Sequence, residues 1–192
     1  MSFTKTLKII SFSAVLAVTV AAKVSASAPE EVRQNPLVGG PPTYPYGDIV
    51  QTTGASRNHR TLLAAVKAAG LVETLEGPGP FTVFAPTDEA FAKLPAAAAA
   101  MLVEPEKKAT LVKLLTYHVV AGRMTASRIR SAIKAGGGTA TMTTVEGEPL
   151  VASLYDDRIV LTDVKGGTAT ITIGNVPQSN GLIHVVDRVL IP

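Results

Sequence analysis

The chain has 192 residues, of which 46% are hydrophobic and 17% charged, with no Cys and no Trp. That length suits one domain, and the lack of Cys rules out disulfides, thiolate zinc sites, iron–sulfur clusters, thiol nucleophiles and a lipid-bearing cysteine. The formal charge of +3 has a single source: Lys5, Lys8 and Lys23 lie in the first 28 residues, which carry no Asp or Glu, leaving 15 of the 18 basic residues against 15 acidic ones. A balanced remainder predicts no nucleic-acid partner, because neutralising phosphates needs a surplus of Lys and Arg, and no electrostatic attachment to an anionic membrane.

Residues 1–28 read as a secretory signal peptide, with Lys5 and Lys8 in the positive region and a charge-free run from Ile9 to Ala22. That run is short of the about 20 apolar residues that a membrane-spanning helix needs. Cleavage is expected after Ala26 or Ala28, and Pro29 beyond the second position favours Ala26. The product is expected to be exported, to the periplasm or the extracellular medium, and not membrane-spanning. Residues 29–58 read as a Pro/Gly-rich leader arm, either anchored to the domain by Tyr44, Tyr46 and Ile49 or serving as a tether to a surface.

Helical periodicity begins at Asn58: Leu62, Leu63, Val66 and Ala69 share a face, and Gly70 is a stop. Leu71, Val72 and Leu75 continue as a short helix ended by Gly77-Pro78-Gly79-Pro80. Phe81 to Ala85 predicts a strand closed by Pro86, and Thr87 predicts the N-cap of a helix starting at Asp88. The Ala96–Ala100 run is helix-prone, and Pro105 suits the first position of the next helix. Leu111, Leu114, Leu115 and His118 then form a stripe at i, i+3, i+4 and i+7. Met124 and Ile129 bracket Thr125 as a staple around an N-cap, and that helix runs to Gly136. After Gly138 the period becomes two. Strands are expected at Thr139–Thr143, Leu150–Leu154, Arg158–Leu161, Thr168–Ile173, Leu182–Val186 and Val189–Ile191, with turns at Asp156-Asp157 and Gly166-Gly167. Helices first and antiparallel strands second make an α+β domain over residues 59–192.

Chemistry has few residues to work with. His59, His118 and His184 have no metal-ligand spacing, and no nucleophile elbow or phosphate-binding glycine loop is present. Asp88-Glu89 sits at a helix start and Asp156-Asp157 in a turn, so neither suggests a catalytic carboxylate pair. The polar neighbours of His59 predict a solvated or capping role. His118, at the end of an apolar stripe, is expected to be buried and to lock the helix-to-strand junction; His184 is expected to be structural as well. No catalytic residue, metal or cofactor is predicted.

Three ordered segments carry a resemblance. Phe81-Thr82-Val83-Phe84-Ala85-Pro86-Thr87-Asp88-Glu89-Ala90-Phe91, Leu114-Leu115-Thr116-Tyr117-His118-Val119-Val120, and Asn180 to Pro192 match the signature boxes of the fasciclin domain family, in particular its single-domain exported bacterial members. The resemblance implies a wedge of antiparallel β-strands with several short helices packed against it. It makes Thr87, Asp88, Tyr117, His118, Asn180, Gly181, His184 and Asp187 the family-motif residues, mainly structural, with the first and last boxes pairing as core strands. Exposed neighbours such as Arg123 are then left for contact. Relatives often carry Asp-Ile before the last box, in a motif linked to integrins; here the pair is Asn175-Val176, so that contact is not expected.

The expected function is a non-catalytic adhesion module that binds a surface polysaccharide or a protein on the envelope, the matrix or another cell. A lone domain would have to dimerise or bridge two partners to act this way. The alternative is a soluble carrier of an apolar molecule such as a carotenoid, in a groove lined by Ala96–Val103, Met101 and Met142. A hydrolase is the third reading, and it requires an open cavity beside His118 and His184.

Overall fold

A computed structural model describes residues 47–95 and 107–192. The expected export signal, most of the leader with Tyr44 and Tyr46, and the helices expected at Ala96–Val103 and from Pro105 lie outside the described residues.

The first element stands where an extended arm was expected. α1 (Ile49–Ala55) is capped by Asp48, whose carboxylate accepts the Gln51 amide at 2.7 Å, and it buries Ile49, Val50, Thr52 and Thr53. A glycine such as Gly54 costs about 1 kcal/mol in a helix, which a side-chain cap and burial against the domain together outweigh. Ile49 therefore anchors this stretch as part of a helix.

α2 (Arg60–Ala69) buries Leu62, Ala65, Val66 and Ala69 and stops at Gly70, where φ is 74°. α3 (Val72–Glu76) is followed by β1 (Phe81–Pro86) and α4 (Asp88–Ala92). α5 (Lys108–Tyr117) passes through His118 into β2 (Val119–Ala121). α6 (Ala126–Ala135) starts at Thr125, whose hydroxyl accepts the Arg128 amide at 3.2 Å. The remaining strands are β3 (Thr139–Thr143), β4 (Pro149–Tyr155), β5 (Arg158–Thr162), β6 (Thr168–Gln178) and β7 (Gly181–Val186).

These strands form one seven-stranded sheet in the order β2-β1-β7-β6-β5-β4-β3. All pairings are antiparallel except β1 with β7, which run parallel with Phe81 opposite Gly181 and Pro86 opposite Val186. A bridge between Val120 and Thr144 links the two outermost strands at one corner. The fold class is α+β, and the first and last sequence boxes do pair. The expected closing strand Val189–Ile191 does not form. Side chains, described below, take the Leu190 and Ile191 amides that a ladder would have used.

Two apolar clusters flank the sheet. Ile49, Leu62, Val66, Leu111, Val83 and Val185 belong to one; Phe84, Tyr117, Ile129, Leu150, Leu161 and Val186 belong to the other. Adjacent residues alternate across a strand, so Val83 and Phe84 on β1, like Val185 and Val186 on β7, serve opposite sides. A bulge in β6 does the same for Ile171 and Ile173, which would otherwise share a face.

Candidate functional site

The central motif is interior. Tyr117 is fully buried, and its hydroxyl donates to the Pro149 carbonyl at 2.8 Å while accepting the Val164 amide at 3.3 Å. One phenol thereby joins α5 to the β3–β4 and β5–β6 turns. Burial raises its pKa, against the Val164 amide, with the charges of Asp163, Glu148 and Glu146 adding to the rise.

His118 follows at the C-cap of α5. Leu190 N–H donates to its Nε2 at 3.0 Å, so the ring proton is on Nδ1, which donates to the Leu114 carbonyl at 2.7 Å. Burial lowers the pKa to about 4, against the Leu114 carbonyl and the charge of Asp163. The junction is locked as expected, and the ring also clamps the last residues of the chain. Asp163 completes that clamp: one carboxylate oxygen accepts the Lys165 and Gly167 amides at 3.0 and 2.7 Å, the other the Ile191 amide at 3.0 Å. Sequence reading missed Asp163, although an Asp four residues before the second glycine of Gly166-Gly167 is a signal for a side chain closing a turn.

His184 is the mirror case on β7. Its Nε2 donates to the Met124 carbonyl at 2.8 Å and its Nδ1 accepts the Asn175 amide at 3.3 Å. The ring stacks on Phe84 with centroids 5.6 Å apart, and burial lowers its pKa against the Met124 carbonyl. Asn175, at φ 61°, accepts the Ala126 amide at 2.8 Å and so helps to start α6, while Val176 is fully buried. The pair standing where relatives carry Asp-Ile is thus occupied with a helix start and the core.

The first box is also scaffold. Thr87 caps α4 as expected, accepting the Ala90 amide at 3.2 Å. Asp88 does not serve its own helix; its carboxylate accepts the Thr61 and Arg60 amides at 2.8 and 3.4 Å, at the start of α2. Desolvation works to raise its pKa, but the Thr61 amide and hydroxyl, the Arg60 amide and His59 together lower it. His59 departs from expectation. It is 2% exposed and makes no side-chain cap, because α1 and the following turn fold over it and bring the Ser56 hydroxyl to 2.7 Å from its Nδ1. Burial lowers its pKa, opposed by Asp88 and the Ala85 carbonyl.

In the last box, Asn180 is a hub. It accepts the Ile49 amide at 3.2 Å and donates to the Leu75 and Gly77 carbonyls at 2.6 and 3.3 Å. Gly181 lies so close to β1 that a Cβ would stand 2.2 Å from the Phe81 carbonyl oxygen. Asp187 accepts the Thr170 amide at 2.7 Å. Arg123 is exposed and donates to the Gln178 carbonyl at 3.2 Å.

The eight motif residues are therefore spread through the scaffold and do not converge on one reacting centre. An apolar cavity of about 20 Å³ lies between α1, α2, β1 and His118, and one of about 10 Å³ beside Ser56 and His59. Each has room for about one water, whereas drug-sized ligands occupy about 300–1,000 Å³. Among the described residues no group of three or more His, Cys, Asp and Glu could hold a metal, and no helix is long and apolar enough to cross a membrane.

Comparison with known proteins agrees with this geometry. A family profile described as the fasciclin domain matches residues 57–192. Protein sll1483 of Synechocystis sp. is 46% identical over 144 residues, covering 75% of this chain and 73% of that one. The cell surface glycolipoprotein MPB83 of Mycobacterium bovis is 37% identical over 148 residues, covering 73% of this chain and 59% of its own. Among solved structures, a FAS1 domain pair from the insect cell adhesion molecule Fasciclin I superposes with a TM-score of 0.69 at 17% identity, over 78% of this chain and 52% of that one, a likeness of fold. The chain belongs to the fasciclin domain family.

Proposed function

We propose that this protein is an exported, non-catalytic binding module that attaches to a surface: a polysaccharide or protein of the envelope, the matrix or another cell. One observation carries the reading. All three imidazoles are buried, those of His118 and His184 hydrogen-bonded at both ring nitrogens and that of His59 at Nδ1, so the groups best suited to acid–base work are enclosed in the fold. What remains for contact is the outside of the domain. Two similar proteins, a cell surface glycolipoprotein and a cell adhesion molecule, support the same class. A carrier of an apolar molecule finds less support: the apolar cavity between α1, α2, β1 and His118 measures about 20 Å³, and the Ala96–Val103 lining expected for a groove lies outside the described residues.

In this reading residues 1–28 direct export, and the part of the leader ahead of α1 links the cleavage site to the domain, α1 itself belonging to the core. N-terminal sequencing of the exported protein should give Ser27 or Pro29 as the first residue; retention of Met1 would remove the export step. Labelled protein should bind saturably to one envelope fraction or polysaccharide of the producing organism, and heat-unfolded protein should not. Absence of saturable binding to every fraction would overturn the surface-binding reading.

A further inference from the structure

Strands β3, β4, β5 and β6 present one sheet face whose residues are exposed or half-buried among the described residues. Thr139, Ser153, Val160 and Thr170 lie side by side across the four strands, and the next row is Thr141, Val151, Thr162 and Thr168. The opposite face is buried under α6, through Met142, Leu150, Ala152 and Leu161. At one end of the open face, Tyr155 and Arg158 are cross-strand neighbours. Tyr155 is 71% exposed, more than any other large hydrophobic residue among those described, and its hydroxyl takes no hydrogen bond among them. An aromatic ring so exposed forgoes substantial burial.

Charge selects the occupant. Neither lateral row carries an ionisable side chain. The hairpin tip has two charges of each sign: Asp156 and Asp157 in the turn, Arg158 beside it, and Arg130 donating to the Asp157 carbonyl at 3.1 Å. A polyanion meets the two carboxylates and a polycation the two guanidinium groups, while an uncharged polyhydroxylated polymer meets no repulsion. We propose that the Tyr155 tip and the threonine face bind a neutral polysaccharide. The ring stacks on the apolar side of a sugar, the tip carboxylates and Arg158 hydrogen-bond adjacent hydroxyls, and the threonine rows continue along the polymer. The inference rests on the surface-binding reading and gives it a site.

The test measures retention of the purified full chain and of Tyr155→Ala on cellulose, galactomannan and alginate, with thermal melts confirming that the variant is folded. Wild type should bind at least one neutral polymer saturably, at about 0.5 M salt as well as at low salt, and Tyr155→Ala should bind about tenfold more weakly. Binding to alginate alone, no binding to either neutral polymer, or equal binding by the variant overturns the assignment. The same samples on envelope fractions separate the two levels: undiminished envelope binding by Tyr155→Ala refutes the site and leaves the surface-binding reading standing, whereas no envelope binding by wild type refutes that reading.

Discussion

Mild acid should destabilise this protein before most carboxylates titrate, and His118 is the chief cause. Its Nε2 accepts the Leu190 amide and its Nδ1 donates to Leu114, so a second ring proton would face an N–H and break the clamp. Burial holds the folded-state pKa at about 4, against 6.5 for an exposed histidine. The unfolded chain therefore takes up the proton first. The stabilisation is complete above about pH 6.5 and is lost as the pH falls toward 4. At about 1.4 kcal/mol per tenfold difference in proton affinity, the whole effect is about 3 kcal/mol, of which about 2 kcal/mol should be gone by pH 5. His59 and His184 are also held below their ordinary values and add to the slope in the same direction. Urea unfolding at pH 7.5, 6.5, 5.5 and 5.0 measures this, with His118→Gln alongside. The variant should be less stable at pH 7.5, since it loses buried hydrogen bonds, yet should lose about 2 kcal/mol less than wild type on going to pH 5. Equal pH slopes for the two proteins would refute the assignment of the effect to this ring.

Other substitutions test other joints. Tyr117→Phe removes the hydroxyl between Pro149 and Val164 and should cost about 1–3 kcal/mol in urea unfolding while leaving surface binding unchanged; lost binding with an unchanged melt would make Tyr117 a contact residue. Gly181→Ala forces a methyl group against the Phe81 carbonyl and should cost about 3 kcal/mol or more, or prevent folding, as judged by soluble yield and melting temperature. Asn175→Ala loses both the hydrogen bond to Ala126 and a residue type tolerant of positive φ, so a loss of about 1–2 kcal/mol is expected, and a wild-type melt would contradict that role.

Local signals carried most of the architecture. Thr87 and Thr125 cap the helices they precede, Gly70 ends its helix in the left-handed region, and Asp156-Asp157 turns a hairpin with both residues at positive φ. Each is decided by residues a few positions apart. Apart from the turn closed by Asp163, the misses are long-range. The density of Gly and Pro hid α1, because the helix depends on burial against α2 and on Asn180, 131 residues from Ile49. With α1 unseen, His59 looked solvated. Val189–Ile191 has the pattern of a strand, yet its amides are claimed by His118 and Asp163, 72 and 28 residues earlier. Asp88 illustrates the same limit: it does answer exposed amides, but those of a helix 27 residues before it.

The parallel pairing of β1 with β7 has a consequence for how the chain folds. β7 is synthesised about 100 residues after β1, so during synthesis the ladder between them must wait for nearly the whole domain. Hairpins β3–β4 and β4–β5 can form from neighbouring residues, but Phe84 and His184 can meet only when the chain has come back on itself. Loop closure over that distance is an entropic cost met before any contact rewards it, and domains dominated by such pairings refold in milliseconds to seconds, not microseconds. A newly made chain thus spends its first moments without the β1–β7 pair, and a chain that has not yet closed its fold is the state in which a polypeptide can still be threaded through a membrane. Stopped-flow refolding would measure that interval.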